Sequence, residues 1–294
     1  MLKTAFIGVG NWGKRLLAEY SVYTEVVWCM HKNNPSTHDF INKNYPSVKQ
    51  TSVLQDILND QSIDIVVVAT PTDTHFDIAK NIIESGKHLF LEKPGGTSSA
   101  HLQTLHTLAK GHNVSFMVNY EFVYHPVWQF IQKNYGNDIT AIHSEWFKWG
   151  SFKEPSTTNL LCHDISIIKS THNTITPIVV RAHPVISTSD ILFVEYCNKK
   201  IRATSYINRV HTDKHKTITI STTQGNFIWH NDTLFRIMPQ NEYMEIPMLD
   251  KSSAVQNSIK HFIHAVTHKK PIFTDGLFAF EVMCDIEKVI SLQK

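Results

Sequence analysis

Three groups of residues have the types and spacing to do chemistry. The first closes the apolar run of "KHLFLEKPGG", Lys87 to Gly96, with Glu92, Lys93 and Pro94. Ligands of open α/β sheets bind at the carboxyl ends of the strands. A lysine held at such an end, with Pro94 restricting its backbone, can polarise a hydroxyl or carbonyl oxygen, and partial desolvation tunes the amine for that work. The second group is Gly8, Gly10 and Gly13, spaced as GxGxxG between the first apolar run and a helical pattern that begins near Trp12. Glycines in that context let the backbone approach a pyrophosphate at a helix N-terminus, so Gly8, Gly10, Asn11, Trp12 and Gly13 are expected to hold a dinucleotide. The third is "TTNLLCHDISIIKS", where Asn159 and His163, four residues apart, fall on one face of a helix and Asp164 follows directly.

A site for NAD usually places an acid at the end of the second strand, about 20 residues after the glycines, to bond the ribose 2′-hydroxyl. Here that region reads "WCMHKNNPS", without an acid. His31 and Lys32 stand in its place, and donors there favour a 2′-phosphate, so the cofactor expected is NAD(P), with NADP preferred. His261, His264 and His268 share one helical face, as metal ligands can, but Ile259, Phe262, Ile263 and Val266 form the apolar face opposite. A solvated histidine stripe is the reading taken, and no metal is expected.

The elements that must position these residues follow from periodicity. Up to about residue 120, short β-branched runs alternate with helical periods, the pattern of a parallel α/β sheet. "TAFIG", "EVVWCM", "DIVVVAT", "HLFLE" and "VSFMVN" are the strands. "GKRLLAEY", "SVLQDILND", "HFDIAKNIIESG" and "SAHLQTLHTLAKG" are the helices, two of them ending at a glycine suited to a left-handed cap. After "HPVWQFIQKNYG" come longer alternating strands, "AIHSEWFKW", "ILFVEYCN", "IRATSYINRV", "KTITIST" and "NFIWHN", with Gln224 and Gly225 as turn residues, and then two amphipathic helices ending in "SLQK". The expected fold is therefore an N-terminal Rossmann parallel sheet, residues 1–121, and a C-terminal α+β domain, residues 122–294, built on an open, mainly antiparallel sheet.

At 294 residues the chain suits two domains. With 42% hydrophobic and 18% charged residues and no long charge block, it should be globular throughout. A net charge of +2, with scattered lysines, offers no basic field for a phosphate backbone, which argues against nucleic acid. No apolar run approaches a membrane span and the N-terminus lacks a signal-peptide pattern, so no membrane partner and a cytoplasmic location are expected. Cys29, Cys162, Cys197 and Cys284 show no CxxC spacing and read as reduced thiols.

The ordered segments "GVGNWG", "VVVATPTDTH", "GKHLFLEKP" and "NYEFVYHP", with "SIKHFIHAVTHKKPIFTDGLFAFEVMCDIEKVI" at the end, resemble the Gfo/Idh/MocA oxidoreductases. That resemblance implies a hydride transfer between a nicotinamide and a carbinol carbon of a sugar, cyclitol or sugar nucleotide. It implies that Lys93 bonds the substrate oxygen and that His163 moves the proton, with Asn159 replacing the family's aspartate. "HDISI" resembles a subgroup in which Asp164 follows the histidine. Ala69, Thr70, Pro71 and His75 would line the dinucleotide, although Asp73 or Thr74 could equally cap a helix. Asn119 and Tyr120 would reach cofactor and substrate, and Asn159 and Asp164 of the second domain would reach the substrate.

Glu92 orients Lys93, contacts the nicotinamide ribose, or is a structural carboxylate. Val123 replaces an arginine common in the family, and Lys148 and Trp149 are either substrate contacts or sheet-edge residues. Two other readings stay open on these departures: a dinucleotide-binding scaffold without chemistry, and an NAD-dependent glycosidase. The open face of the second sheet is expected to make the protein a homo-oligomer.

Overall fold

The computed structural model describes residues 1–171 and 175–293. Its contacts divide the chain into two units, Met1–Tyr120 with Val255–Glu281, and Glu121–Ala254 with Val282 onward. Lys294, the last residue of the expected closing helix, lies outside the described residues.

In the first unit, strands and helices alternate as β1 (Lys3–Ile7), α1 (Asn11–Tyr20), β2 (Glu25–Met30), α2 (Pro35–Asn44), β3 (Lys49–Thr51), α3 (Leu54–Asn59), β4 (Ile65–Val68), α4 (His75–Glu84), β5 (His88–Glu92), α5 (Ser99–Gly111) and β6 (Phe116–Asn119). All neighbouring strands run parallel, in the order β3-β2-β1-β4-β5-β6. That is the doubly wound order whose switch point, between β1 and β4, opens a crevice at the strands' carboxyl ends. Ile65, Val66, Val67 and Val68 are completely buried, as strands covered on both faces must be.

The expected strands are all present, but α2 and β3 have no counterpart in the sequence reading. Helix α2 has little apolar periodicity; its signal is local, Asn34 accepting from the Thr37 N–H as N-cap with Pro35 in the first turn. Of the two glycine caps, Gly86 is left-handed (φ +78°), whereas after α5 that conformation falls on Asn113 (φ +55°) rather than Gly111.

The second unit starts with α6 (Pro126–Tyr135), β7 (Ile139–Trp149) and α7 (Cys162–Lys169). It continues through β8 (Thr176–His183), β9 (Ile191–Cys197), β10 (Arg202–Asn208), β11 (Val210–Thr222), β12 (Gly225–His230), β13 (Thr233–Ile237) and β14 (Tyr243–Ile246). The eight strands form one sheet in the order β14-β13-β12-β11-β7-β10-β9-β8, antiparallel except for β7 beside β10. The open, mainly antiparallel sheet is thus borne out, with β8, β13 and β14 added to the expected strands. The run "IRATSYINRV" divides at Arg209 into β10 and the start of β11.

Burial alternates along these strands. Leu192, Val194 and Tyr196 of β9 are buried, while Phe193, Glu195 and Cys197 are half-exposed on the other face. Trp128 of α6 stacks on Trp229 of β12 and donates to the Ser170 hydroxyl at 2.8 Å, so the α6–α7 layer covers the buried face.

Two helices close the chain, α8 (Ala254–His268) and α9 (Gly276–Leu292), the first belonging to unit one and the second divided between the units. In unit one, Phe262 of α8 meets Phe90 of β5 edge-on at 5.5 Å, and Phe278 of α9 meets Tyr120 at 5.9 Å. Among the described residues no helix is long and apolar enough to cross a membrane.

Candidate functional site

The glycine loop leaves β1 and enters α1. Gly8 has φ +92°, and a Cβ there would lie 2.7 Å from the Ala69 carbonyl oxygen, so the chains leaving β1 and β4 touch. A Cβ on Gly13 would fall 2.0 Å from the Gly8 oxygen, which no side chain tolerates. At Gly10 the same test meets open space. Gly10 is the N-cap of α1 and offers no side chain to its first N–H groups, and no acid lies in the first turn. Those N–H groups and the helix dipole are left for an anion, so the loop fits a dinucleotide pyrophosphate.

At the end of β2, His31 shares a hydrogen bond of 2.9 Å with the Gln50 side-chain oxygen, and Gln50 donates to Asn42 at 2.7 Å. Lys32 is exposed. The network holds no carboxylate, as the sequence implied.

After β4, Ala69 and Thr70 are half-buried, Pro71 is exposed and His75 is buried. His75 Nε2 is 2.8 Å from the Thr70 carbonyl, and the Thr74 hydroxyl donates to both Thr70 Oγ1 and the Pro71 carbonyl at 2.8 Å. Thr74 therefore knits the loop rather than capping α4, whose N-cap has no side-chain bond. Burial lowers the His75 imidazole to about 4, and the nearby Lys93 charge also lowers it, so the ring is neutral and acts as a donor to the loop.

Glu92 ends β5 and is paired in register with Asn119 at the end of β6. It is buried at 6% exposure, and Asn119 Nδ2 donates to its Oε1 at 2.7 Å. Burial pushes the carboxyl up; the bond from Asn119, the neighbouring Trp12 indole and the Lys93 charge oppose that shift. The Lys93 N–H also reaches Glu92 Oε2, at 3.3 Å. Lys93 itself is half-exposed, and its peptide bond to Pro94 is cis. Tyr120, completely buried, donates its hydroxyl to the Pro94 carbonyl at 3.2 Å. Asn119 and Tyr120 thus brace the Glu92–Pro94 strand end, and the Asn119 side-chain oxygen, buried, has no hydrogen-bond partner among the described residues.

In the second unit the path to His163 is held by Arg209. Its guanidinium donates to the carbonyls of Ser151 (2.7 Å) and Glu154 and to Ser187 Oγ (2.6 Å), and pairs with Asp190 at 3.1 Å with both side chains out of solvent. Thr157–Leu161 forms one π-helical turn before α7. The four-residue step from Asn159 to His163 therefore crosses a junction of two helix types and not one continuous α-helical face.

His163, at 5% exposure, meets the Phe122 ring edge-on at 4.9 Å and lies against Trp146 at 5.4 Å. Asp164, at 1%, faces the hydroxyls of Ser144 and Ser205, and burial raises its carboxyl. Val123 is buried. Lys148 donates to Ser151 at 2.6 Å and Trp149 is exposed with its ring on Phe152, so both finish β7.

Lys216 of β11 was not anticipated. Its Nζ lies 3.3 Å from the Phe122 ring centroid and 4.4 Å from that of Trp146, the two rings that touch His163. The signal was present in "KTITIST": Lys216 shares the inward parity of Ile218 and Ile220. On the histidine helix, His261 accepts from the Phe273 N–H at 3.3 Å while His264 and His268 lie against each other at 4.4 Å.

Comparison with known proteins agrees with this architecture. Residues 2–120 match the Gfo/Idh/MocA family, described as an oxidoreductase family with an NAD-binding Rossmann fold. The chain is 37% identical over 70 residues to the oxidoreductase YdgJ of Escherichia coli, 24% of this chain and 20% of the relative. It is 31% identical over 65 residues to the NADP-dependent scyllo-inositol 2-dehydrogenase of Bacillus subtilis, 22% and 18% of the two chains. These matches span only about a fifth of the relatives' own length. The UDP-N-acetylglucosamine 3-dehydrogenase of Acidithiobacillus ferrooxidans aligns over 96% of this chain and 94% of its own at 21% identity. Its solved structure superposes with a TM-score of 0.88 at 18% identity, covering 100% of this chain and 99% of that one, a likeness of fold. Residues 2–120, which hold the glycine loop and the doubly wound sheet, are the part of this chain that matches the Gfo/Idh/MocA oxidoreductase family.

Proposed function

We propose that the protein is an NAD(P)-dependent oxidoreductase acting on a carbinol carbon of a sugar, cyclitol or sugar nucleotide. One observation carries this reading: Lys93 sits at the carboxyl end of β5 on a strand end braced by Glu92, Asn119 and Tyr120, in the unit that also holds the glycine loop. A bound nicotinamide would supply or accept the hydride. The N–H groups at the start of α1 hold the pyrophosphate. The Lys93 amine donates to the reacting oxygen, and His163 takes the hydroxyl proton in oxidation and returns it in reduction.

Asn159 offers a hydrogen bond to a substrate hydroxyl without the charge of an aspartate. His31 and Lys32, with no acid beside them, support NADP as the preferred form, and the relatives named as dehydrogenases of a cyclitol and of a sugar nucleotide support the substrate class. A cytoplasmic homo-oligomer remains part of the proposal, its self-association supported by the half-exposed outer face of the second sheet.

The test is a fluorescence titration with NADPH and NADH, with Gly10→Glu as control, followed by a panel of cyclitols, sugars and nucleotide sugars. A Cβ at Gly10 meets nothing, so the control folds while placing a carboxylate in the anion cradle. Saturable binding that is lost in the control, and turnover on the panel, are the expected results. Binding without turnover would favour the scaffold, and absence of binding would sink both.

A further inference from the structure

Lys216 is a cation placed where the sequence pattern calls for an apolar residue. It pairs in register with Trp146 of β7, beside the pair of Ile218 with Ser144, on the face that α7 covers. Its ammonium nitrogen is out of solvent, has no hydrogen-bond partner among the described residues, and lies over Phe122 at 3.3 Å, Trp146 at 4.4 Å and Trp229 at 5.7 Å. The negative faces of aromatic rings attract such a charge but leave its N–H groups unbonded. A bare buried ammonium is costly, and its surroundings point to what it acts on.

His163 touches the same Phe122 and Trp146 rings, at 4.9 and 5.4 Å. The ammonium and the imidazole, both against the one Phe122 ring, are thus closer than the Debye length of about 10 Å at 0.1 M salt. In this dry aromatic setting solvent does little to screen them. We propose that Lys216 is a positioning residue that holds His163 in its neutral, proton-accepting form. The inference rests on the reading of His163 as the proton carrier, and makes the resting enzyme ready for alcohol oxidation.

Among the described residues, the other ionisable groups that act on or feel Lys216 are Glu121 from the turn before α6, Cys162 and Asp164 on α7, and His125 with its partner Asp232. Asp164, next to His163 in the chain, favours charge on the imidazole, and Lys216 opposes it. The same charge already helps to hold His125 below the usual imidazole range. Burial lowers the Lys216 amine to about 8, with Asp164 and Glu121 resisting, so the ammonium is charged at neutral pH and its influence fades above that value.

The experiment is an NMR titration of the histidine side chains in the full chain, with His163 assigned by loss of its signal in His163→Gln. Lys216→Met keeps the stem under the rings and removes the charge; Lys216→Arg keeps the charge. The His163 midpoint should rise by about one pH unit in Lys216→Met and stay near that of the parent in Lys216→Arg. Asp164 changes its own charge when Lys216 is lost, so Lys216→Met is also compared within an Asp164→Asn background, where the same rise is expected. If Lys216→Met does not fold, Lys216→Gln takes its place. An unmoved midpoint in both backgrounds would overturn the proposal. No turnover is needed, so failure of the oxidoreductase reading would leave this result standing.

Discussion

Asn119 donates to Glu92 across the ends of two adjacent parallel strands, 2.7 Å from nitrogen to oxygen, and so fixes a buried carboxyl directly before Lys93. Removing the donor leaves that carboxyl without its strongest partner. Asn119→Ala is expected to cost about 1–3 kcal/mol of stability, read from urea unfolding. Glu92→Gln should behave differently. Burial raises the Glu92 carboxyl, so the acid form favours the fold, fully at acid pH and less as pH rises through the raised value. A glutamine cannot ionise, and the stability of Glu92→Gln relative to the parent should therefore climb as pH rises above the usual carboxylate range.

Lys93→Ala removes the amine without touching the glycine loop. Turnover on any accepted alcohol should fall about 10²-fold or more, while the NADPH dissociation constant from fluorescence changes by less than about twofold. Lys93→Arg should rescue little, since a guanidinium cannot take the place of a compact ammonium. Undiminished turnover in Lys93→Ala would defeat the assigned role.

His75 titrates in the opposite sense to Glu92. Its imidazole is held at about 4 against an unfolded value of 6.5, so its contribution to stability is complete above 6.5 and is lost as pH falls toward 4. Between pH 7 and pH 5 the loss is about 2 kcal/mol. His75→Gln, which keeps a donor for the Thr70 carbonyl, should lack that part of the acid sensitivity when urea midpoints at the two pH values are compared.

Asp190 and Arg209 form the most enclosed ion pair described in the second unit, with side-chain exposures of 0% and 1%. Asp190→Asn strands a buried guanidinium. A loss of about 3–5 kcal/mol is expected by denaturant unfolding, together with loosening of the Ser151–Glu154 segment that Arg209 ties down. Hydrogen exchange at that segment unchanged from the parent would contradict the second part.

How far the sequence reaches depends on where each signal lies. Strands β1, β4 and β5 are legible because they are short, have apolar centres and run into a glycine or proline within a few residues, and the lysine at the end of β5 follows from that same boundary. Helix α2 is not legible by periodicity, because Thr37 and Ile41 are its buried residues and its start rests on Asn34. Asn159 and His163 are adjacent by counting, but counting assumes 3.6 residues per turn, and the turn that holds Asn159 is wound otherwise. Lys216 could have been found by parity alone. A chemical prior that treats lysine as a surface residue hides it among the threonines of β11.

The composition of the first unit also sets an order of events during synthesis. Its sheet ends at residue 119, but Phe90 packs on Phe262 and Tyr120 on Phe278, residues the ribosome adds after the whole antiparallel sheet. The dinucleotide unit cannot bury those faces until Phe278 has been made. The second sheet is complete by Ile246, but its unit also takes Val282 onward and so waits for the same closing helix. Neither half can therefore close before the last helix is made, and chaperones would meet both as open nascent sheets.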